Sequence, residues 1–308
     1  MAKILVATDK PFAAIAVKGI REVVEGAGME LALLEKYTKK SQLLDAVKDV
    51  DAIIIRSDII DKEVLDTAKQ VKIVVRAGAG YDNVDLDAAT ANGVVVMNTP
   101  GQNSNAVAEL VFGMLIYAAR SFFNGASGWE LKGKKLGLLA YGNVGRNVAR
   151  IAKGFDMDVY AYDAYTPVIT IENDGVKAVA SAKELFETCQ IISLHIPATA
   201  ETKGSINFEW MNAMPKNAIV INTARKEVMD EAGLTKMFEE RPDFKYISDI
   251  KPAIDAELAA KYPDRYFATP KKMGAQTAEA NINAGIAAAK QIVDFIQNGN
   301  KKFCVNKI

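Results

Sequence analysis

The stretch KLGLLAYGNVGRNVARIAKGFDMDVYAYD, residues 135–163, decides the fold. Its apolar opening, 136–140, reads as a buried parallel strand. A turn of small residues follows, Ala140-Tyr141-Gly142-Asn143-Val144-Gly145, then a helical pattern carried by Val148, Ile151, Ala152 and Phe155. A second strand, 158–162, closes on Asp163. This is the βαβ order that binds a dinucleotide, with the pyrophosphate over the helix N-terminus, where unpaired N–H groups and the helix dipole favour anions. Asp163 follows Gly145 at close to the spacing of about 20 expected of a ribose partner. A carboxylate there accepts from ribose hydroxyls and repels a 2′-phosphate, so NAD is expected over NADP. The fingerprint is incomplete, because Ala140 stands where the first glycine of G-x-G-x-x-G belongs. That position serves the tight turn, Gly142 the approach to the pyrophosphate and Gly145 the helix–strand contact. Alanine is the smallest departure, but it is unfavourable if φ must be positive.

At 308 residues the chain is long enough for two domains. Lys plus Arg and Asp plus Glu both number 38, so no overall field draws nucleic acid or an acidic membrane surface. Two cysteines, Cys189 and Cys304, are too few for a disulfide framework. Their apolar neighbours suggest buried thiols in a reducing compartment. No apolar run approaches the ~20 residues of a membrane span, and the strand-like run 3–8 does not resemble a signal peptide. These features point to a cytoplasmic protein with a small-molecule partner, no nucleic acid, no membrane and no metal.

Before the central stretch, residues 1–98 alternate apolar runs (ILVAT, LALLE, AIIIR, VKIVVRAG, VVVMN) with amphipathic helical patterns near 12–26, 40–48, 61–69 and 85–92. Such alternation implies a parallel sheet. Arg56 ends one run and Ala77-Gly78-Ala79-Gly80 follows another, where ligands of open α/β sheets bind. A glycine-rich turn there can offer backbone N–H groups to a carboxylate or phosphate, or can simply be a tight turn. Asn98–Asn103 is turn chemistry, followed by an apolar helix, 106–119, and a loop, 122–128. After Asp163 come expected strands at 176–180, 191–197, 218–224, 245–250 and 266–270, helices near 182–187, 207–213 and 230–239, and an Ala-rich helix near 275–297. The expected architecture is α/β: a Rossmann-type doubly wound parallel sheet over 99–282, and a smaller flavodoxin-like domain from 1–98 plus 283–308. Two chain crossings would leave a cleft for a ligand.

Five segments occur in a telling order: RAGAGYDNVDLDAATANGVVVMNTPGQNSNAVAEL (76–110), LGLLAYGNVGR (136–146), ISLHIPATAETKGSIN (192–207), AIVINTAR (218–225) and TPKKMGAQTAEA (269–280). Together they resemble the D-2-hydroxyacid dehydrogenases over nearly the whole chain. The likeness is strongest to short-form members that act on 3-phosphoglycerate and lack a C-terminal regulatory domain. The resemblance implies an enzyme moving hydride between NAD and C2 of a 2-hydroxy acid, a homodimer, and a place in phosphorylated serine biosynthesis without serine feedback through such a domain. It places the active-site arginine on Arg225. A guanidinium suits this role because it can hold a carboxylate bidentately while polarising the neighbouring carbonyl. Asp249 matches the aspartate that holds the nicotinamide carboxamide. Asn143, Val144, His195, Thr223 and Ala224 match cofactor contacts, Gly78, Ala79 and Asn103 match the substrate-carboxylate cradle, and Arg56 looks like a phosphate contact.

Two departures matter. The family's acid/base histidine in T-P-H-x-G-x-x-T is replaced by a lysine pair. Counting back from Thr277 puts Lys272 on it, and counting forward from Pro270 puts Lys271 there. The single histidine, His195, matches a cofactor-side strand end or a satisfied core histidine, not the proton donor. The family's glutamate before a proline is Lys251 here. The losses are consistent with each other. A carboxylate raises and orients an imidazole, but it would push a lysine, ordinarily near 10.4, further from neutrality. A lysine acid/base needs burial and cationic neighbours, which Lys271, Lys251 and Arg225 could supply. The competing readings are another substrate (glyoxylate, hydroxypyruvate or D-lactate) and an NAD-sensing binding protein without turnover.

Overall fold

Short apolar runs make the strands, and the computed structural model describes every residue from Met1 to Ile308. The strands are β1 (Lys3–Thr8), β2 (Glu30–Glu35), β3 (Ala52–Ile55), β4 (Ile73–Arg76), β5 (Val95–Asn98) and β6 (Lys135–Leu139). They continue with β7 (Asp158–Tyr162), β8 (Lys177–Ala178), β9 (Ile191–Leu194), β10 (Ile219–Asn222), β11 (Lys245–Ser248) and β12 (Tyr266–Ala268). All named pairings are parallel, in a five-stranded sheet ordered β2-β1-β3-β4-β5 and a seven-stranded sheet ordered β12-β11-β10-β9-β6-β7-β8. The first is the flavodoxin-like order. The second is the Rossmann order with a seventh strand added.

Successive strand residues enter opposite cores. Ile54 and Val75 face the helices Ala14–Gly26 and Ala278–Asn298, while Ile53 and Val74 face the layer that holds Leu43 and Val64. In the larger sheet Leu138 and Ile221 face the helices Ser104–Ala119 and Asn143–Gly154, and Ile192 and Val220 face the opposite layer. Truncating one of these isoleucines to alanine would cost about 2–5 kcal/mol.

The chain forms two compact units, 1–103 with 276–308, and 104–275. The sequence reading put the crossings at 98/99 and 282/283. The C-terminal helix is unbroken from Ala278 to Asn298 behind its Thr277 cap, and so falls wholly in the first unit. Residues 301–306 close the β5 edge: Val305 N–H donates to Val96 O, and the Asn306 side chain accepts from Val96 N–H and donates to Val94 O. No helix is long and apolar enough to cross a membrane.

Several strands are shorter than expected, with β9, β10 and β11 ending at Leu194, Asn222 and Ser248. After β10 and β11 a polar side chain binds nearby main chain, Asn222 to residues 224 and 225 and Ser248 to Ile250, and the residues that follow leave the ladder as loops. The helices Val168–Asn173 and Asp255–Lys261 have no counterpart in the sequence reading. The loop expected at 122–128 begins as a short turn, Ser121–Phe123, in which all three residues have positive φ (51°, 52° and 56°). The rings of Phe122 and Phe123 sit 5.0 and 5.2 Å from that of Tyr117.

Candidate functional site

In the second unit, β6 turns sharply at Ala140, whose φ is +79°. Its N–H donates to Tyr162 O at 2.8 Å, fixing the turn to the end of β7. Gly142 caps the helix Asn143–Gly154 in extended conformation, and no side chain occupies the first-turn N–H groups. A Cβ on Gly142 would meet open space, whereas one on Gly145 would lie 2.5 Å from Ala140 O. The two glycines therefore differ in purpose: Gly142 leaves room for an occupant, and Gly145 lets the helix touch the turn. Asp163 is held by three main-chain donors, Tyr141 N–H on Oδ2 (2.6 Å) and Tyr165 and Thr166 N–H on Oδ1 (2.8 Å each). Burial pushes its carboxyl up, but these donors outweigh burial and hold it below the usual carboxylate range.

At the end of β9, His195 donates its N–H to Leu139 O at 2.9 Å. The residue is half-buried, yet its Nε2 is sealed from solvent without a partner. Burial lowers the imidazole to about 3, so it is neutral at physiological pH and unsuited to proton transfer. At the end of β10 the buried Asn222 shapes the turn that follows. Its Oδ1 accepts from Ala224 N–H (3.0 Å), and its Nδ2 donates to Arg225 O (3.0 Å). This turn presents Thr223, whose Oγ1 is buried and unpartnered, and the half-buried Arg225, whose Nη1 donates only to Ala224 O (2.9 Å).

After β11, Asp249 is fully buried and grips the loop that follows β12. Oδ1 accepts from Thr269 Oγ1 (2.8 Å) and Met273 N–H (2.7 Å), and Oδ2 from Gly274 N–H (2.8 Å). Thr269 Oγ1 also lies 2.9 Å from Lys271 O. The loop is thus anchored on both sides of Lys271 and Lys272, whose side chains are exposed. Three of a carboxylate's roughly four acceptor positions on Asp249 are thus in use.

In the first unit Arg56 lies just beyond β3, donating to Lys10 O (3.1 Å), Pro11 O (3.2 Å) and Asn281 Oδ1 (2.6 Å). Arg76, absent from the sequence reading, ends the neighbouring strand β4 and donates from Nε to Arg56 O at 3.0 Å. Burial lowers both guanidiniums, and the like charge of Arg56 lowers Arg76 further. Neither has a carboxylate at ion-pair distance. Gly78 (φ +152°) is required by Arg76, because a Cβ there would fall on the guanidinium. Its N–H turns inward to Arg76 O (2.9 Å), which leaves the N–H of the exposed Ala79 for a ligand. Asn103 is half-buried at the end of this unit's first segment. Arg76 was legible by analogy: IVVR closes its strand as AIIIR closes the one beside it.

Residues 6–306 match the family described as D-isomer specific 2-hydroxyacid dehydrogenase, catalytic domain. The chain belongs to that family. Similar proteins include the D-3-phosphoglycerate dehydrogenase of Methanocaldococcus jannaschii, 36% identical over 95% of this chain and 57% of its own length. The hydroxypyruvate reductase of Thermotoga maritima is 33% identical over 85% of this chain and 90% of its own. The chain therefore spans little more than half of the first relative. Among solved structures, the NAD+-bound 3-phosphoglycerate dehydrogenase of Entamoeba histolytica is 50% identical, with a TM-score of 0.87 over 100% of this chain and 99% of that one.

NAD is the cofactor of the D-2-hydroxyacid dehydrogenases, and the second unit fits it. The uncapped helix start with open space at Gly142 suits a pyrophosphate, and Asp163 suits a ribose diol. The buried, unpartnered atoms of His195 and Thr223 are groups that a ligand would satisfy. Gly142, Asn143, Val144, Gly145 and Asp163 gather around one turn. His195, Thr223, Ala224, Arg225 and Asp249 follow the carboxyl ends of β9, β10 and β11, adjacent strands of the same sheet. No group of three His, Cys, Asp or Glu side chains is placed to hold a metal ion.

Proposed function

We propose that this dehydrogenase oxidises D-3-phosphoglycerate at C2 to 3-phosphohydroxypyruvate. The observation that carries the substrate is the Arg56–Arg76 pair: two half-buried guanidiniums on neighbouring strand ends, linked through Arg56 O, with Asp9, Asp58 and Asp82 acting on them only from beyond ion-pair distance, and a phosphate dianion would relieve the charge of Arg56 that bears on Arg76. Bound NAD supplies the hydride acceptor. In this reading Arg225 holds the substrate carboxylate and polarises the C2 oxygen, with Ala79 and Asn103 as further carboxylate contacts, while Gly78, expected from the sequence as a contact, only shapes the turn because its N–H is taken by Arg76 O. Asn143, Val144, Thr223 and Ala224 contact the cofactor, and Asp249 gives its remaining acceptor position to the carboxamide. Lys272, or its neighbour Lys271, takes the hydroxyl proton as the neutral amine and returns it as the ammonium in the reverse direction. Oxidation should therefore favour alkaline pH, since lysine amines ordinarily titrate near 10.4.

The alternative, a hydroxypyruvate or glyoxylate reductase, is favoured by the near-full coverage of the Thermotoga reductase. NADH absorbance over a panel of D-3-phosphoglycerate, D-glycerate, glycolate and D-lactate, with NAD and then NADP, separates the two. Selectivity for the phosphorylated acid that falls in Arg56→Ala supports the phosphate reading. Equal rates with D-glycerate would remove it. Wild-type oxidation by Lys272→Ala and Lys271→Ala alike would remove the lysine. Turnover of no acid would leave an NAD-binding protein without chemistry. A cytoplasmic homodimer working in phosphorylated serine synthesis goes with this reading, and sedimentation checks the dimer.

A further inference from the structure

The helix Asn143–Gly154 contains three cations, Arg146, Arg150 and Lys153, and no acid, in a chain whose formal net charge is zero. Four and three residues apart, they share one face and span about 10 Å. That face forms one wall of a pocket of about 400 Å3, with Tyr141 and Asp174 among its other lining residues. None of the three cations has a carboxylate at ion-pair distance. Arg146 lies over the Tyr141 ring (5.7 Å), Arg150 donates to Asn105 Oδ1 (2.7 Å), and Lys153 donates to the main-chain oxygen of Asp174. Several cations on other helices are paired with acids four residues away, as in Lys18–Glu22, Lys62–Asp66, Lys183–Glu187 and Lys236–Glu240. The one acid in this pocket, Asp174, accepts from Tyr141 OH at 3.1 Å.

We propose that this pocket is a second anion site, taking a small ligand of the diphosphate class. Three cations against one carboxylate leave an excess of two positive charges, the complement of a dianion. Their separation along the helix suits two linked anionic groups better than one. The site is distinct from the cofactor turn. There the main-chain N–H groups at the helix start act on an anion, while here side chains act along the helix flank. Tyr141 joins the two, because its ring lines the pocket while its N–H holds Asp163.

The probe is inorganic pyrophosphate, titrated calorimetrically into the full-length protein with NAD held saturating, so that the cofactor turn is filled. The expected result is one pyrophosphate per chain, bound at least 10-fold more weakly by Arg150→Ala/Lys153→Ala and restored by Arg150→Lys/Lys153→Arg, with binding weakening as salt rises. Both side chains are exposed, so the double variant should fold, and an unchanged circular dichroism melt confirms it. Any of three results overturns the proposal: no uptake by the wild type, equal uptake by the double alanine variant, or loss confined to Arg56→Ala. A change in sedimenting mass for the double alanine variant also overturns it, because the face would then be a contact between copies of the chain.

Discussion

The turn at Ala140–Gly145 and the strand ends at Arg56 and Arg76 both suit anions, by opposite means. The turn uses main-chain N–H groups aligned by a helix start, and the side chain that binds its main-chain N–H, Asp163, is negative, with Arg146 reaching Tyr141 O from the helix side. The strand ends use two half-buried guanidiniums, both lowered by burial and one lowered further by the charge of the other. Backbone donors carry no net charge and survive any substitution but proline, so that site is sensitive to shape. Guanidiniums carry full charge and repel each other until an anion arrives, so that site is sensitive to composition.

The contrast is broken most severely by Gly145→Ala. Its Cβ would lie 2.5 Å from Ala140 O, so the helix must shift, and overpacking of ~1–3 kcal/mol corresponds to up to roughly 100-fold weaker NAD binding. Fluorescence titration with NADH measures it, and an unchanged affinity would show that the turn tolerates displacement. Arg76→Ala removes charge rather than shape. It should raise KM for the phosphorylated acid roughly 10-fold while leaving NAD affinity alone, the loss of charged hydrogen bonds being partly offset by relief of Arg56. A fall in NAD affinity instead would contradict the separation of roles.

His195 sharpens the comparison through pH. Its imidazole titrates near 6.5 unfolded and about 3 folded, so the unfolded chain binds more protons between those values. Its stabilising share is therefore complete above 6.5 and is lost as pH falls, by up to about 2 kcal/mol between 6.5 and 5. Urea melts of the wild type and His195→Gln at those two pH values should differ in slope against pH by that amount, and parallel slopes would show that the imidazole protonates in the folded state. The smallest effect belongs to Ala140→Gly. Relief of a left-handed alanine, worth about 1–2 kcal/mol, is offset by the greater freedom of glycine in the unfolded chain, about 0.4–1 kcal/mol. The melting point should rise by a few degrees at most, and a fall would mean that the alanine methyl packs favourably.

These regions were unequally legible in the sequence. The dinucleotide turn was readable because steric need is written in glycine: Gly145 marks a contact that no side chain allows, and Ala140 stands where a glycine belongs, an unfavourable choice only if φ is positive, as its +79° is. Alternating apolar runs gave both parallel sheets for the same reason, since burial on two faces leaves few other compositions. The strand ends were harder. AIVINTA reads as one strand, but Asn222 bonds to the main chain of residues 224 and 225 and ends the ladder early. Propensity does not register such a bond. Arg76 was passed over although IVVR closes its strand as AIIIR closes the neighbouring run, because the pairing of the two runs, and so the nearness of their arginines, is not written in either one. Asp249 was read as a carboxamide partner, and its grip on Met273 and Gly274 depends on a loop twenty-odd residues away.

The C-terminal helix has a consequence for synthesis. The first unit is discontinuous: the helix covering Phe12, Ile20 and Val75 leaves the ribosome only after the whole second unit has been translated. Until then that face of the five-stranded sheet has only the helix Ala14–Gly26 over it, while residues 104–275 already contain all the strands of their own sheet. The order of folding is thereby set by the order of translation, with the second-made unit finishing first. A ribosome stalled before Thr277 would hold a nascent chain whose N-terminal third is greasy and open to chaperones.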